Sequence, residues 1–146
     1  MTEPLTPPNP LARQEPVDLE TAIRAQILSR DARYEVAAYL FLYEALGYTQ
    51  KALGRTGPKL QQTEKHVTGG ELLEGIRAYA AQQFGPLAPP VFRRWGVRST
   101  QDFGEIVFNL VESDLLSKTE SDSREDFADG FDFDNAFEGP FSAEIQ

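Results

Sequence analysis

The sequence predicts a mainly α protein: a compact bundle of about five helices followed by an acidic segment. Apolar residues recur at three- and four-residue spacing in five stretches, and capping residues or glycines stand at most of their ends. Hydrophobic residues make up 40% of the 146-residue chain, which is enough for one hydrophobic core but hardly for two. We therefore expect a flexible proline-rich arm at residues 1–16, a helical domain at 17–118 and an acidic, phenylalanine-rich segment at 119–146.

The first two helices are predicted from their periodicity. Asp18 can cap a helix whose apolar residues repeat at helical spacing as far as Ile27. Residues 32–46 form the second helix, and apolar side chains surround it almost completely, as is typical of a central, buried helix. Gly47 is placed to end this helix in a left-handed cap. Residues 54–67 are polar, contain two glycines and a proline, and read as a loop.

The third helix has clear signals at both ends. Thr68 followed by Glu71 forms a capping-box pattern directly before an apolar run. The apolar stripe continues to Phe84, and Gly85 with the proline after it stops the helix. These signals predict a helix over about 68–84.

The last two helices are joined by a short turn. A short helix at 90–95 ends at Gly96, and Ser99 with Asp102 opens an amphipathic helix over 99–116. After it, Leu115–Lys118 and Asp126–Phe133 could pair as a small β-hairpin around the polar SDSRE turn, because FDF alternates as a strand does. The fold would then be winged-helix-like at most.

Charge is distributed very unevenly. The net charge is −9, yet residues 1–101 carry 12 Lys and Arg against 10 Asp and Glu, a net +2. Residues 102–146 carry 2 against 13, a net −11. Such a segment repels phosphate backbones and attracts basic surfaces, so a basic protein partner is expected and a nucleic acid is not.

Composition also limits the chemistry. The chain has no cysteine, which excludes disulfides and thiolate sites and suits a reducing cytoplasm. The longest apolar stretch, 36–43, is much shorter than the roughly 20 residues that cross a bilayer, so no membrane partner is expected. The acidic run lacks the EF-hand ligand spacing, and no phosphate-binding or dinucleotide-binding glycine pattern occurs. We predict no cofactor and no metal site; the sequence leaves the oligomeric state open.

Three blocks of sequence resemble a known family. They are DARYEVAAYLFLYEALGYTQKAL at 31–53, HVTGGELLEGIRAYAAQQFGPLA at 66–88 and RRWGVRSTQDFGEIVFNLVESDLLSKTESDSREDF at 93–127. Together they resemble the conserved hypothetical proteins restricted to Planctomycetes and Verrucomicrobia. The resemblance implies a bacterial, cytoplasmic single domain, and it transfers no catalytic residues.

The leading functional prediction is a protein–protein interaction or regulatory module that uses residues 119–146. Phenylalanines separated by carboxylates can supply buried area in a partner's groove, while the carboxylates supply steering and specificity. The candidate partner-binding residues are Phe127, Phe131, Phe133, Phe137, Asp132 and Asp134. The competing interpretation is that these phenylalanines fold back onto the protein's own core.

A winged-helix-like DNA-binding regulator is the first alternative, because the last two helices and their turn have the lengths of a helix-turn-helix. The candidate contacts are arginines for phosphates and two amides for bases: Arg93, Arg94, Arg98, Gln101 and Asn109. The acidic residues of the would-be recognition helix oppose such binding. A helical hairpin serving as scaffold explains the same pattern.

A small enzyme is the second alternative. The carboxylate pairs Asp102/Glu105 and Glu71/Glu74 stand three residues apart on a helix, a spacing that can build an acid–base site. His66, the one histidine, could join such a site, as could the tyrosines. A solvated helix face, a surface histidine and core tyrosines explain these residues equally simply.

Overall fold

The structure of the protein, a computed structural model, describes residues 18–61, 65–117, 124–128 and 130–137. This part of the chain is helical and contains no strand. Its helices are α1 (Leu19–Ile23, continued by a π-helical turn, Arg24–Leu28), α2 (Val36–Ala52), α3 (Gly69–Phe84), α4 (Ala88–Arg94), α5 (Thr100–Glu112) and the single turn α6 (Phe133–Ala136). The 3-10 turns Gly85–Leu87 and Arg124–Phe127 precede α4 and α6. The prediction of a mainly α bundle of about five helices is confirmed.

Helix α2 runs through the centre of the bundle and packs against α1, α3 and α5. The prediction that Gly47 ends this helix is wrong, since α2 continues to Ala52. Tyr48 packs against Tyr79 with tilted rings at 5.3 Å between centroids, and Thr49 is buried against Gly75 of α3. This packing outweighs the roughly 1 kcal/mol that a mid-helix glycine costs.

The capping signals that open α3 and α5 are confirmed. The N–H of Glu71 donates to Thr68 Oγ1 at 3.1 Å, and the Glu71 carboxylate accepts from the Thr68 N–H at 2.9 Å. At the start of α5, Asp102 Oδ2 accepts from the N–H groups of Ser99 and Arg98 at 3.3 and 2.8 Å. Helix α5 ends at Glu112, about one turn earlier than its periodicity predicts.

An aromatic cluster fills the core where α2, α4 and α5 meet. Phe92 of α4 is fully buried, with ring centroids of Phe41 at 5.8 Å, Trp95 at 5.9 Å and Phe103 at 5.2 Å. Gly96, with φ of +92°, allows the chain to turn sharply after α4, and a Cβ there would lie 2.4 Å from a backbone oxygen of the loop before α2. The turn between α4 and α5 is therefore fixed against the core.

Several predicted features lie outside the described residues. These are the arm at 1–16, Lys118, the SDS part of the suggested turn (121–123), and residues 138–146. The hairpin stays a prediction, although its second strand, Asp126–Phe133, overlaps the 3-10 turn Arg124–Phe127 at one end and the first residue of α6 at the other. Among the described helices, none is long and apolar enough to cross a membrane.

Candidate functional site

Four phenylalanines of the acidic segment, residues 119–146, lie in the described part of the chain, and they pack onto the protein's own core. Phe127, Phe133 and Phe137 are 2, 6 and 7% exposed, and Phe131 is partly buried against them. The rings of Phe133 and Phe137 lie 5.0 and 5.9 Å from that of Phe92. In this conformation these rings are not presented to a partner, as the competing interpretation predicted.

Phe127 occupies a notch between α3 and α5 that two glycines create. A Cβ on Gly104 would lie 2.9 Å from the Phe127 Cβ, and one on Gly69 would lie 3.1 Å from its ring. The Thr100 hydroxyl donates to the Phe127 carbonyl at 2.7 Å and accepts from the Gly130 N–H at 3.1 Å. Glycines and one buried hydroxyl thus fix Phe127 and Gly130 of the segment on the bundle.

The described carboxylates of the same segment lie at the surface instead. Glu125, Asp126, Asp132 and Asp134 are all exposed. Asp132 caps α6, since Oδ1 accepts from the Asp134 N–H at 3.2 Å and Oδ2 from the Asn135 amide at 2.8 Å. Of the predicted partner-binding residues, the two aspartates therefore lie on the surface and the phenylalanines underneath.

The residues predicted for DNA contact divide into two groups. Arg93, Arg94, Arg98 and Gln101 are exposed. Asn109 is 3% exposed, and its amide Nδ2 lies 3.1 Å from both the Asp31 carboxylate and the Tyr39 hydroxyl. In this conformation the Asn109 side chain is turned toward the core and is not presented to a base, so its contact with bases stays a prediction.

The exposed side of α5 is not basic. Gln101, Phe108 and Glu112 stand at positions i, i+7 and i+11, so they form one stripe on the helix, and all three are exposed. Glu105 lies on the same stripe and is half-buried beside Arg33. A nucleic acid needs cations that release counterions, and this stripe carries carboxylates instead.

The first carboxylate pair considered for catalysis is occupied by structural contacts. The Tyr34 hydroxyl donates to Asp102 Oδ1 at 2.5 Å, while Oδ2 accepts the backbone bonds that open α5. Glu105 pairs with Arg33 at 3.3 Å. Burial is the main cause that raises the pKa of the Tyr34 hydroxyl, and the hydrogen bond to Asp102 raises it further. The arrangement clamps the loop before α2 to α5.

Asp31 and Arg33 extend this clamp. Arg33 donates to both oxygens of Asp31, at 3.0 and 2.8 Å, and this bonding holds the pKa of Asp31 well below its usual range. Asp31 also accepts from Asn109, which connects the surface ion pair to the buried Tyr39. Periodicity offers no signal for this network, because its contacts join residues 31–39 to residues 102–109, which are 68 to 78 positions apart in the sequence.

The second carboxylate pair, Glu71 and Glu74, has arginine partners of its own and does not form one site with Asp102 and Glu105. Glu71 accepts from Arg55 at 2.6 and 3.0 Å, which lowers the pKa of Glu71, and Glu74 pairs with Arg77 instead. His66 lines a half-open cavity of about 170 Å³, whose described lining mixes aliphatic and polar residues and contains no Asp, Glu or Tyr. Within the described residues, no group of three or more Asp, Glu or His side chains could hold a metal ion.

Fold and surface together define a small helical domain that carries part of its own acidic segment as an outer layer. Comparison of the chain with protein-family models, with curated proteins and with solved structures found no match.

Proposed function

We propose that the protein is a protein–protein interaction or regulatory module that binds a basic partner through the carboxylates of residues 119–146. The observation that supports this most is the division of the segment: phenylalanines toward the core and carboxylates toward solvent. The phenylalanines then position the charged groups and do not enter the partner. A cytoplasmic location and the resemblance to the planctomycete and verrucomicrobial family belong to the same proposal.

Electrostatics support a partner of opposite charge. The region from residue 102 onward has a net charge of −11, whereas the region before it has +2. A surface dominated by one sign raises the association rate for partners of the other sign and rejects partners of the same sign. Because these carboxylates are exposed, each contact should contribute roughly 0.2–1 kcal/mol, and salt should weaken binding.

Carboxylates that are held in place are typical of a binding surface with a defined geometry, not of a disordered acidic tail. The Asp132 carboxylate is held by two hydrogen bonds at the start of α6, and Phe133 anchors the same turn with 6% exposure. Preorganised groups lose less conformational entropy when a partner binds. Selectivity should therefore depend on the positions of the carboxylates as well as on their number.

The test compares two variants that have equal net charge. The first neutralises the exposed carboxylates of the described segment: Glu125→Gln, Asp126→Asn, Asp132→Asn and Asp134→Asn. The second neutralises carboxylates on the helical body: Glu20→Gln, Glu35→Gln, Glu44→Gln and Glu112→Gln. Asparagine at position 132 keeps a capping side chain, so α6 should persist.

Binding is measured by fluorescence anisotropy with a labelled lysine- and arginine-rich peptide, at roughly 0.05–0.3 M salt. We expect four weakened contacts to cost about 2 kcal/mol in the first variant, a loss of about 30-fold in affinity. The second variant should bind nearly as the unaltered chain does. Equal losses in both variants would show that only net charge matters and would contradict the proposal. A labelled DNA duplex in parallel tests the DNA-binding alternative, which predicts tighter binding to DNA than to the peptide.

A further inference from the structure

A second charged surface lies on helix α4. Leu87, Pro90 and Arg94 stand at positions i, i+3 and i+7, so they lie on one side of the helix, and all three are exposed. Leu87 is 63% exposed, the most exposed large apolar side chain in the described part of the chain. Arg93 is also exposed beside them. This surface, the α4 face, combines an apolar residue with two arginines.

The arginines of the α4 face have no carboxylate partner within the described residues. The ion pairs there involve Arg24, Arg30, Arg33, Arg55 and Arg77, not Arg93 or Arg94. Cations in the last turn of a helix complement its dipole, and this accounts for part of their placement. The dipole gives no reason for an exposed leucine on the same side.

Helix α6 of the acidic segment is the neighbour of α4. Phe133 and Phe137 both contact Phe92, so the two helices are packed side by side. Asp134 is exposed on α6, yet no ion pair joins it to an arginine of α4 in the described structure. Adjacent helices therefore expose opposite charges that do not neutralise each other.

We propose that this surface binds a second copy of the chain in a two-fold symmetric dimer. Arg93 and Arg94 of one copy would face Asp134 of the second, the same contact would recur in the reverse direction, and Leu87 would supply the apolar contact. The inference rests on the proposed function, since it names the α4 face of a second copy as a basic partner of the acidic segment. A surface that carries both signs side by side is complementary to itself after a two-fold rotation.

Other occupants match this surface less well. A nucleic acid would gain from the arginines but would be repelled by Asp134 beside them. A uniformly acidic protein would meet the same repulsion, and a uniformly basic protein would be repelled by the arginines. A second copy presents each sign opposite its counterpart, and at about 0.15 M salt the repulsion between two chains of net charge −9 is screened beyond about 8 Å.

The first measurement is sedimentation equilibrium of the full chain over a wide concentration range, at roughly 0.15 and 0.5 M salt. We expect a monomer–dimer equilibrium that weakens at the higher salt. Three charge-reversal variants follow: Arg93→Glu with Arg94→Glu, Asp134→Lys alone, and Lys51→Glu with Lys59→Glu as a matched control on exposed residues elsewhere. The double arginine variant removes four ion pairs per dimer. Each loss should weaken the dimer about threefold, so the dimer dissociation constant should rise about 100-fold.

Mixing gives the decisive result. The double arginine variant and the Asp134→Lys variant should each be monomeric alone, and together they should form a heterodimer, because every reversed charge then meets an opposite one. A monomer at all concentrations, a dimer that neither variant weakens, or a mixture that fails to associate would overturn the proposal. Peptide binding by the unaltered chain is measured separately. If the chain binds the peptide but does not dimerise, the dimer proposal fails and the proposed function stands; if it does neither, both fail. Circular dichroism of each variant confirms that the helices are intact.

Discussion

Replacing Phe127 by alanine tests whether the acidic segment is an integral part of the fold. Phe127 is 2% exposed and lies against Gly69 and Gly104, neither of which has a side chain that could fill the space. Replacing a buried phenylalanine by alanine costs about 3–5 kcal/mol when the site cannot collapse. Because a domain of this size is stable by about 5–15 kcal/mol, the substitution should remove a large part of the stability.

The chain offers a matched control for this substitution. Phe108 is 38% exposed on α5, so replacing Phe108 by alanine should cost about 1 kcal/mol or less. Gly104→Ala approaches the same contact from the other side, since its Cβ would lie 2.9 Å from the Phe127 Cβ. Overpacking of this kind costs about 1–3 kcal/mol, and the higher helix propensity of alanine offsets part of it.

Urea unfolding followed by circular dichroism gives the free energy of unfolding and its dependence on urea for each variant. The double variant Gly104→Ala with Phe127→Ala should lose less than the sum of the two single losses, because it removes the ring carbons at 3.1 and 3.2 Å from the new Cβ and leaves only the Cβ of residue 127 at 2.9 Å. A loss at Phe127 no larger than that at Phe108, or strictly additive effects with Gly104→Ala, would refute the packing described here.

Three further substitutions test other contacts. Gly75→Ala should destabilise the protein by about 2–4 kcal/mol in thermal unfolding, because its Cβ would lie 1.6 Å from the Thr49 hydroxyl oxygen; adding Thr49→Ala should recover part of the loss. Thr100→Val should cost about 1–3 kcal/mol in urea unfolding, because it removes both hydrogen bonds of the hydroxyl that holds the segment. The lowered pKa of Asp31 stabilises the fold above the ordinary value of 3.8, and this stability is lost as the pH falls through the folded-state pKa. Asp31→Asn should therefore reduce the slope of the unfolding free energy against pH below about pH 4. An unchanged slope would show that Asp31 does not contribute to this pH dependence.

Local signals in the sequence predicted the helices well and their ends less well. Capping patterns at Thr68 and Ser99 identified the starts of α3 and α5, because a cap depends on residues within one turn. The end of α2 was misjudged at Gly47, because what continues this helix is its contact with α3, formed with residues about 30 positions away. Periodicity cannot report such a contact.

The candidate site could be predicted only in part. The concentration of carboxylates and phenylalanines in residues 119–146 is visible in the sequence, but which of the two kinds faces the solvent is not. That choice depends on a notch made by Gly69 and Gly104, which come from different helices. Gly104 did offer a signal, since a glycine on the apolar side of a predicted helix often marks a close approach of another segment.

Docking of the acidic segment and binding of a partner should respond to salt in opposite ways. Docking depends on apolar contacts of Phe127, Phe133 and Phe137, and bringing the exposed carboxylates together on one surface opposes it. A single pair of like charges at about 8 Å in water costs roughly 0.5 kcal/mol, whereas one buried phenylalanine contributes about 1.5–3 kcal/mol. Burial therefore dominates, and added salt should leave docking intact or strengthen it by screening the repulsion, while the same salt weakens ion pairs with a partner. If the segment remains docked at high salt while the partner dissociates, the phenylalanines hold the segment on the core and its carboxylates bind the partner. If high salt releases both the segment and the partner, the same charged groups control docking and binding.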